Sequence, residues 1–342
     1  MNDLLVGLLS VLLSTNQVTT SNLLRLVTPT AQRPSSADLQ NPAYLDLKRV
    51  MELDDKARGE IDALLEAEDA RVKKAPEIKP LSTDALIEGK LGPVRQAYED
   101  LVAKHPRYSK ARVAYGSFLN EVSDENAAVV QWRRANELDP ADSAAWNNLG
   151  DYYGHHGPVT NAFFHYAKAI ELAPGESSYY KNLATVVYLF RDEASRLFKT
   201  NQLGVLNRAM ALYRKAFELD PENFILAAEL AQSYYGFPAV KSADAQADRR
   251  VIELRAAEAL GAWTNAFRIA RDDIERQGVQ LHMARWTMNI GRFEASRGAL
   301  GSVTNSMFDL TKDALLKKLA RLQSAESSGG APAVPETKGV KP

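Results

Sequence analysis

Three prolines, Pro106, Pro140 and Pro174, stand 34 residues apart, and Pro221 follows 47 residues on, which is one such period plus 13. A fixed period of this length restricts the chain to repeat architectures, in which each unit is one supersecondary element stacked on the next. Aligning on the prolines brings other positions into register. Trp146, Leu149, Gly150 and Tyr153 precede Ala162, Tyr166 and Ala169. The unit before supplies Arg112, Tyr115, Gly116 and Leu119, then Ala128, Trp132 and Ala135. The unit after supplies Tyr180, Leu183, Ala184 and Val187 and, past an insertion, Ala209, Tyr213 and Ala216. Apolar residues at spacings of three and four predict two amphipathic helices per period. Small residues at Gly150 and Ala162 mark where the helices cross closely, the aromatic residues fill the space around that crossing, and the proline ends the second helix.

The pattern resembles the tetratricopeptide repeat (TPR) family, whose signature is W-x2-L-G-x2-Y, then A-x3-F, then P. The unit 143–176 matches almost fully, with Tyr166 in place of Phe. The resemblance implies an all-α fold, an α-α superhelix or TPR solenoid. It covers about 75–310, as units 75–108 (partial), 109–142, 143–176, 177–223, 224–276 and 277–310. In the first of these, Val94, Tyr98 and Leu101 mark a second helix, while 81–92 fits a first helix poorly. The chain is also similar to a group of bacterial TPR proteins in its apolar start and in the stretches AYGSFLN and WNNLGDYYGHHGPV, a group that adds no biochemical role to the architecture.

Outside the array, 1–41 reads as an apolar segment with a linker. Its run Leu4 to Leu13 is ten residues, against the ~20 needed to span a bilayer. The run has the length of a secretory signal's apolar core, but Asp3 precedes it, no Lys or Arg does, and no Ala-x-Ala site follows. Two expectations stand: an export signal, giving an exported or periplasmic protein, or a short apolar helix on a protein of the bacterial cytoplasm. Any membrane association would run through residues 4–13. Asn41-Pro42 then pairs a cap with a first-turn proline, opening an amphipathic helix over 42–74 that carries Leu47, Val50, Asp54, Ala57, Ile61 and Leu64, and that Pro76 and Pro80 end. Residues 309–323 form a capping helix, and 324–342, rich in Ser, Gly, Pro and Ala, a disordered tail.

Function classes are excluded by composition and motif. Lys+Arg number 42 against 43 Asp+Glu, so no broad basic surface exists for nucleic acid. With no cysteine there is no disulfide, thiolate metal site or cysteine nucleophile. His155, His156 and His165 cluster around one turn, but a zinc site needs three or four convergent ligands, and the adjacent pair diverges. No phosphate loop, G-x-S-x-G elbow or H-E-x-x-H helix occurs. The expectation is a chain that is not an enzyme and takes no metal and no cofactor.

The binding residues are expected on the first helix of each unit, which in this family lines the concave groove. Asn148 and Asn182 occupy the same repeat position and could stand as successive rungs, each amide offering a donor and an acceptor to an extended peptide. Asn147, Asp151, Lys181 and Thr185 should share that face. The equal alternative is that Asn148 and Asn182 bond across neighbouring repeats. The family's carboxylate clamp for chaperone tails does not carry over, because Val113, Ser117, Ser178 and Asn182 hold its positions. Insertions at 190–206 and 236–250, with the His155–Pro158 turn, are expected to form one rim carrying Phe198, Leu203, Phe237 and Val240. The leading expectation is a scaffold that binds a protein or peptide segment in its groove. The alternative is a structural assembly subunit attached to an envelope or complex through its N-terminal segment and the 42–73 helix.

Overall fold

The computed structural model describes residues 40–75, 77, 83–240 and 242–327. Among them lie fourteen α-helices and no strand. Helices α1 (Pro42–Lys74) and α2 (Thr83–Lys104) pair first, followed by α3 (Ser109–Glu121) with α4 (Glu125–Leu138) and α5 (Ser143–His156) with α6 (Val159–Leu172). Helix α7 (Ser177–Leu189) precedes α8 (Arg191–Phe198) and α9 (Gln202–Leu219). Helices α10 (Phe224–Ser233) and α11 (Ala245–Ile269) form the next pair, then α12 (Asp273–Asn289) and α13 (Phe293–Gly301), with α14 (Asp309–Ser327) last. The fold class is all-α, built from TPR-type helix hairpins. The chain divides into two compact units, with the boundary between Val186 and Val187.

In the unit ending at Val186, the 34-residue period is a period of contacts. An added Cβ on Gly150 would stand 2.8 Å from the Tyr166 ring, and one on Gly116 would collide with Trp132. Glycine is needed there because the ring of the second helix lies flat on the backbone of the first. Arg112, Trp146 and Tyr180 stand 34 residues apart and make one shared bond, to the carbonyl of the repeat proline six residues earlier. Trp146 Nε1 donates to Pro140 O at 2.9 Å, Tyr180 Oη to Pro174 O at 3.2 Å and Arg112 Nη2 to Pro106 O at 3.3 Å. Three unlike side chains are tolerated because each reaches out with an N–H or O–H. Asp124 and Asp142 cap α4 and α5 by accepting backbone N–H groups.

Helix α1 starts as its sequence requires, with Asn41 accepting from Ala43 N and Pro42 in the first turn. Leu47 and Ala57 of α1 share one buried cluster with Val94, Tyr98 and Leu101 of α2, Phe118 and Leu119 of α3, and Trp132 of α4. Burying each large side chain of such a cluster contributes roughly 1.5–3 kcal/mol. This corrects the expectation for 81–92. No separate helix occupies it: α2 runs from Thr83 through Pro93 to Lys104, and its hairpin partner is α1.

In the unit beginning at Val187, the insertion after α7 folds as the short helix α8, with Ala194 fully buried, and as an early start to α9 where Val205 and Leu206 are buried. The insertion after α10 is a 3-10 turn, Tyr234–Gly236, a connection, and the first turns of α11. The last hairpin begins at Asp273, four residues before the expected 277. Its buried Gln277 accepts from Thr304 N and Asn305 N at 2.7 and 2.8 Å, fixing the chain as it turns toward α14. Leu281, Ala284 and Met288 of α12 pack with Leu315 and Leu319 of α14, which closes this end of the unit. Helix α14 continues to Ser327, so 324–327 belong to it and not to a tail. The expectations for 1–39, including the apolar run 4–13, for Pro76 and Pro80, and for the tail over 328–342 lie outside the described residues.

Candidate functional site

Helices α3, α5 and α7 are first helices of successive hairpins, and the period sets residues 113, 147 and 181 at one position, 114, 148 and 182 at the next. The polar groups among them form a continuous hydrogen-bonded chain. Ser117 Oγ donates to Val113 O at 3.1 Å and accepts from Asn148 Nδ2 at 3.2 Å. Asn147 Nδ2 donates to Asn148 Oδ1 at 3.4 Å, and Asn182 Nδ2 donates to Asn147 Oδ1 at 3.0 Å. Asn147 is 3% exposed and Asn148 8%, while Asn182 is only partly buried. The two asparagines expected as parallel rungs are therefore not equivalent. Asn148 faces Ser117 of the hairpin before it, and Asn182 reaches back to Asn147. The cause is burial: an amide shut away from water must pair within the protein. Alongside the chain, Ser143 and Tyr179 hydroxyls lie 3.1 Å apart, adding a second bond between α5 and α7.

The other expected residues are placed as follows. Lys181 is partly buried and forms no ion pair with a carboxylate of the described residues. Thr185 Oγ1 donates to Lys181 O at 3.0 Å. Asp151 keeps 35% of its side chain exposed, accepts from Tyr166 Oη at 3.4 Å and lies 3.8 Å from His155 Nε2. Burial, and then the Asp151 carboxylate, hold the Tyr166 phenol well above its ordinary value. His156 Nε2 sits 2.6 Å from Glu125 Oε2 and ties the α5 turn to the start of α4. His165 Nδ1 is bonded to Asn161 O at 2.7 Å, and burial lowers its pKa. Among the described residues, no group of three His, Asp or Glu side chains is arranged to hold a metal ion, and no helix is long and apolar enough to cross a membrane.

The expected rim is resolved in part. Arg191 Nη1 donates to Gly236 O at 3.3 Å, so the two insertions after α7 and α10 do meet. Phe198 and Phe237 are partly buried, each beneath a guanidinium: Arg208 lies 4.3 Å and Arg255 4.7 Å from the respective ring centres. They are packed residues, and the open apolar positions of the first insertion are Leu197 and Leu203. His155 belongs to the other unit, where it is exposed at the end of α5.

A buried ion cluster went unread in the sequence. Arg58 Nε donates to Asp54 Oδ1 at 2.7 Å, Arg58 Nη2 pairs with Glu121, and Tyr98 Oη donates to Asp54 Oδ2 at 3.2 Å. It joins α1, α2 and α3. Burial pushes the Glu121 carboxyl up to about 7, against the pull of Arg58, which two carboxylates share. Its only sequence signal was Asp54 in an otherwise apolar stripe.

No protein-family model matches the chain, and no curated protein does. Among solved structures it is similar to YrrB, a TPR protein with an unusual peptide-binding site, at 14% identity over 66% of this chain and 98% of that one, with a TM-score of 0.47. It is similar to PilF of Pseudomonas aeruginosa at 15% identity over 77% and 98% of the two chains, with a TM-score of 0.46. A third is TTC0263, a thermophilic TPR protein of Thermus thermophilus, at 16% identity over 63% and 100%, with a TM-score of 0.39. The assignment to TPR-type architecture rests on the hairpins themselves and their spacing, rather than on these low-scoring likenesses.

Proposed function

We propose that this chain is a non-enzymatic scaffold that holds a protein or extended peptide segment against the first helices of its hairpins. The observation that supports this reading is the amide chain from Ser117 through Asn148 and Asn147 to Asn182. Its middle members, Asn147 and Asn148, are buried, and it ends in a partly exposed side chain beside Lys181. An amide held in one orientation presents its remaining acceptor and donor to a ligand with little ordering cost, which is how preorganisation raises affinity. Asn182, Lys181 and Asp151 are then the contact residues, with Thr185 and Asn147 fixing them. The test is binding of an immobilised library of unstructured peptides by wild type, Asn182→Ala and Lys181→Ala. Peptides bound by wild type should be lost or weakened at least fivefold in both variants, at unchanged helical circular dichroism. Equal binding by all three removes the reading.

A second reading, attachment through the α1–α2 hairpin, is favoured by one observation. A cleft of about 180 Å³ between these helices has an apolar floor including Ile61, Leu64, Leu65 and Leu86, with Glu68, Arg71 and Thr83 also on its lining, and Leu64, Leu65 and Leu86 are exposed. Glu66, Asp84 and Glu88 flank the lining residues in sequence without cationic partners among the described residues. An apolar cleft between two helices suits the apolar face of an amphipathic helix. A Leu64→Ser, Leu86→Ser variant that still captures such a helical peptide as wild type does would end this reading.

A further inference from the structure

The junction of α1, α2 and α3 encloses more acid than base. Arg58 of α1 supplies one guanidinium, bonded through Nε to Asp54 Oδ1 at 2.7 Å and through Nη2 to Glu121 of α3. Asp54 keeps 12% of its side chain exposed, Arg58 14% and Glu121 17%. The floor beneath them is aromatic. The guanidinium carbon stands 6.0 Å from the centre of the Phe118 ring, and that ring lies 5.2 Å from Tyr98. With both acids ionised, one cation faces two carboxylates and a negative charge is left over.

Charges on the surrounding elements do not make up the difference. On α1, Asp54 and Asp55 both oppose ionisation of Glu121, and Lys56 lies 3.9 Å from Glu60. On α2, Tyr98 Oη donates to Asp54, Lys90 pairs with Glu60 at 2.5 Å and Arg95 with Asp124 at 3.0 Å. Past the end of α3, Glu125 is engaged by His156 at 2.6 Å, and His155 of α5 stands 3.8 Å from Asp151.

A net charge held away from water is costly, and binding a proton removes it. The two carboxyls therefore titrate as a coupled pair that shares one proton in the folded protein. Bonding decides which of them carries it. Asp54 accepts from both Arg58 Nε and Tyr98 Oη, which favours its ionised form, whereas Glu121 has the contact with Arg58 alone. Glu121 is accordingly the carboxyl that burial raises to about 7.

Loss of that proton bears first on α1. Among the described residues α1 packs on α2 and α3, at the end of an array whose elements are stabilised by their neighbours. Moving α1 off α3 returns Glu121 to water and to its ordinary value of 4.5. The closed form thus holds the proton more tightly, so closure is strongest below about pH 4.5 and weakens as pH rises through about 7. We propose that Arg58, Asp54 and Glu121 form a one-proton latch between α1 and α3, closed while the shared proton is bound and loosened when it leaves. Loosening uncovers the buried stripe of α1, with Leu47, Ala57 and Ile61. The latch does not depend on peptide binding at the Asn182 face.

The experiment is hydrogen–deuterium exchange on the full chain from about pH 5 to about pH 8.5, corrected for the chemical exchange rate at each pH. In wild type, α1 should open at least about tenfold more readily across this range, while α5 and α6 change by less than about twofold. Glu121→Gln, a neutral mimic of the protonated carboxyl, should hold α1 equally at every pH. Glu60→Gln, an exposed charge on the same helix, should respond to pH as wild type does. Asp54→Asn leaves Arg58 to Glu121 alone and should move the loss of protection to lower pH; it keeps the test decisive where Glu121→Gln fails to fold. The proposal is overturned by a pH-independent α1 in wild type or by equal loss over α1 and α5–α6. It is likewise overturned if Glu121→Gln keeps the response, Glu60→Gln loses it or Asp54→Asn leaves it unmoved.

Discussion

Gly150→Ala tests whether the close crossing of the two helices is what fixes a repeat. Alanine is the better helix former by about 1 kcal/mol, so propensity alone makes the variant more stable. The structure argues the reverse. The new Cβ would meet three atoms of the Tyr166 ring at 2.8–2.9 Å, and Tyr166 is 2% exposed with its hydroxyl bonded to Asp151. A ring enclosed in this way cannot swing aside, so the helices must separate, and overpacking of this kind costs roughly 1–3 kcal/mol. The expected net effect is a loss of up to about 2 kcal/mol, once the propensity gain is subtracted. Gly59→Ala provides the internal control, since a Cβ there meets nothing within 4 Å and should stabilise by up to about 1 kcal/mol. Urea unfolding followed by circular dichroism measures both. The two variants should move in opposite directions. If Gly150→Ala is as stable as wild type or more so while Gly59→Ala behaves as expected, the crossing does not set the repeat and the argument fails.

Two further outcomes follow from buried polar groups. Glu121 titrates at about 7 in the folded protein against 4.5 for an unperturbed carboxyl, so the folded state holds the proton more tightly and stability from this group is lost as pH rises from about 4.5 through 7. Glu121→Gln removes that loss, and its stability relative to wild type should rise by about 3 kcal/mol between pH 4.5 and pH 8, in urea titrations at each pH; a pH-independent difference refutes the assignment. Asn148→Ala and Asn182→Ala should each destabilise by about 1–3 kcal/mol in urea unfolding, because each strands one end of the buried Asn147 amide; a cost near zero for either would mean the amide chain is not bonded as described.

The helix pairs of the array were legible because their marks are local. Small residues, aromatic residues and prolines recur at positions that one hairpin explains by itself, so Gly116 with Trp132 and Gly150 with Tyr166 could be read without knowing the neighbours. What the sequence left open depended on neighbours. The period puts Asn148 and Asn182 at one repeat position, but it cannot show that Asn148 is buried on Ser117 while Asn182 is only partly buried on Asn147. Helix α2 escaped the period because its partner α1 carries no repeat proline and is far longer than a standard first helix. The Arg58–Glu121 pair joins residues 63 apart with no motif between them.

One structural position shows how charge arises on the otherwise regular face of the unit ending at Val186. Residues 117, 151 and 185 are equivalent by the 34-residue period. Ser117 and Thr185 each turn a hydroxyl back onto the carbonyl four residues earlier, which spends their only donor within their own helix. A carboxylate has no proton to donate, so Asp151 cannot close in this way. It accepts from Tyr166 instead and keeps a third of its surface in water. One position later in the array lies Lys181, equivalent to Asn147 and Val113 and without a carboxylate partner among the described residues. Opposite charges therefore stand on adjacent first helices, Asp151 on α5 and Lys181 on α7, and the Asn147–Asn182 bond links those two helices. Under the proposed reading, in which a peptide lies against these helices, the two charges favour a segment carrying a basic residue toward α5 and an acidic one toward α7.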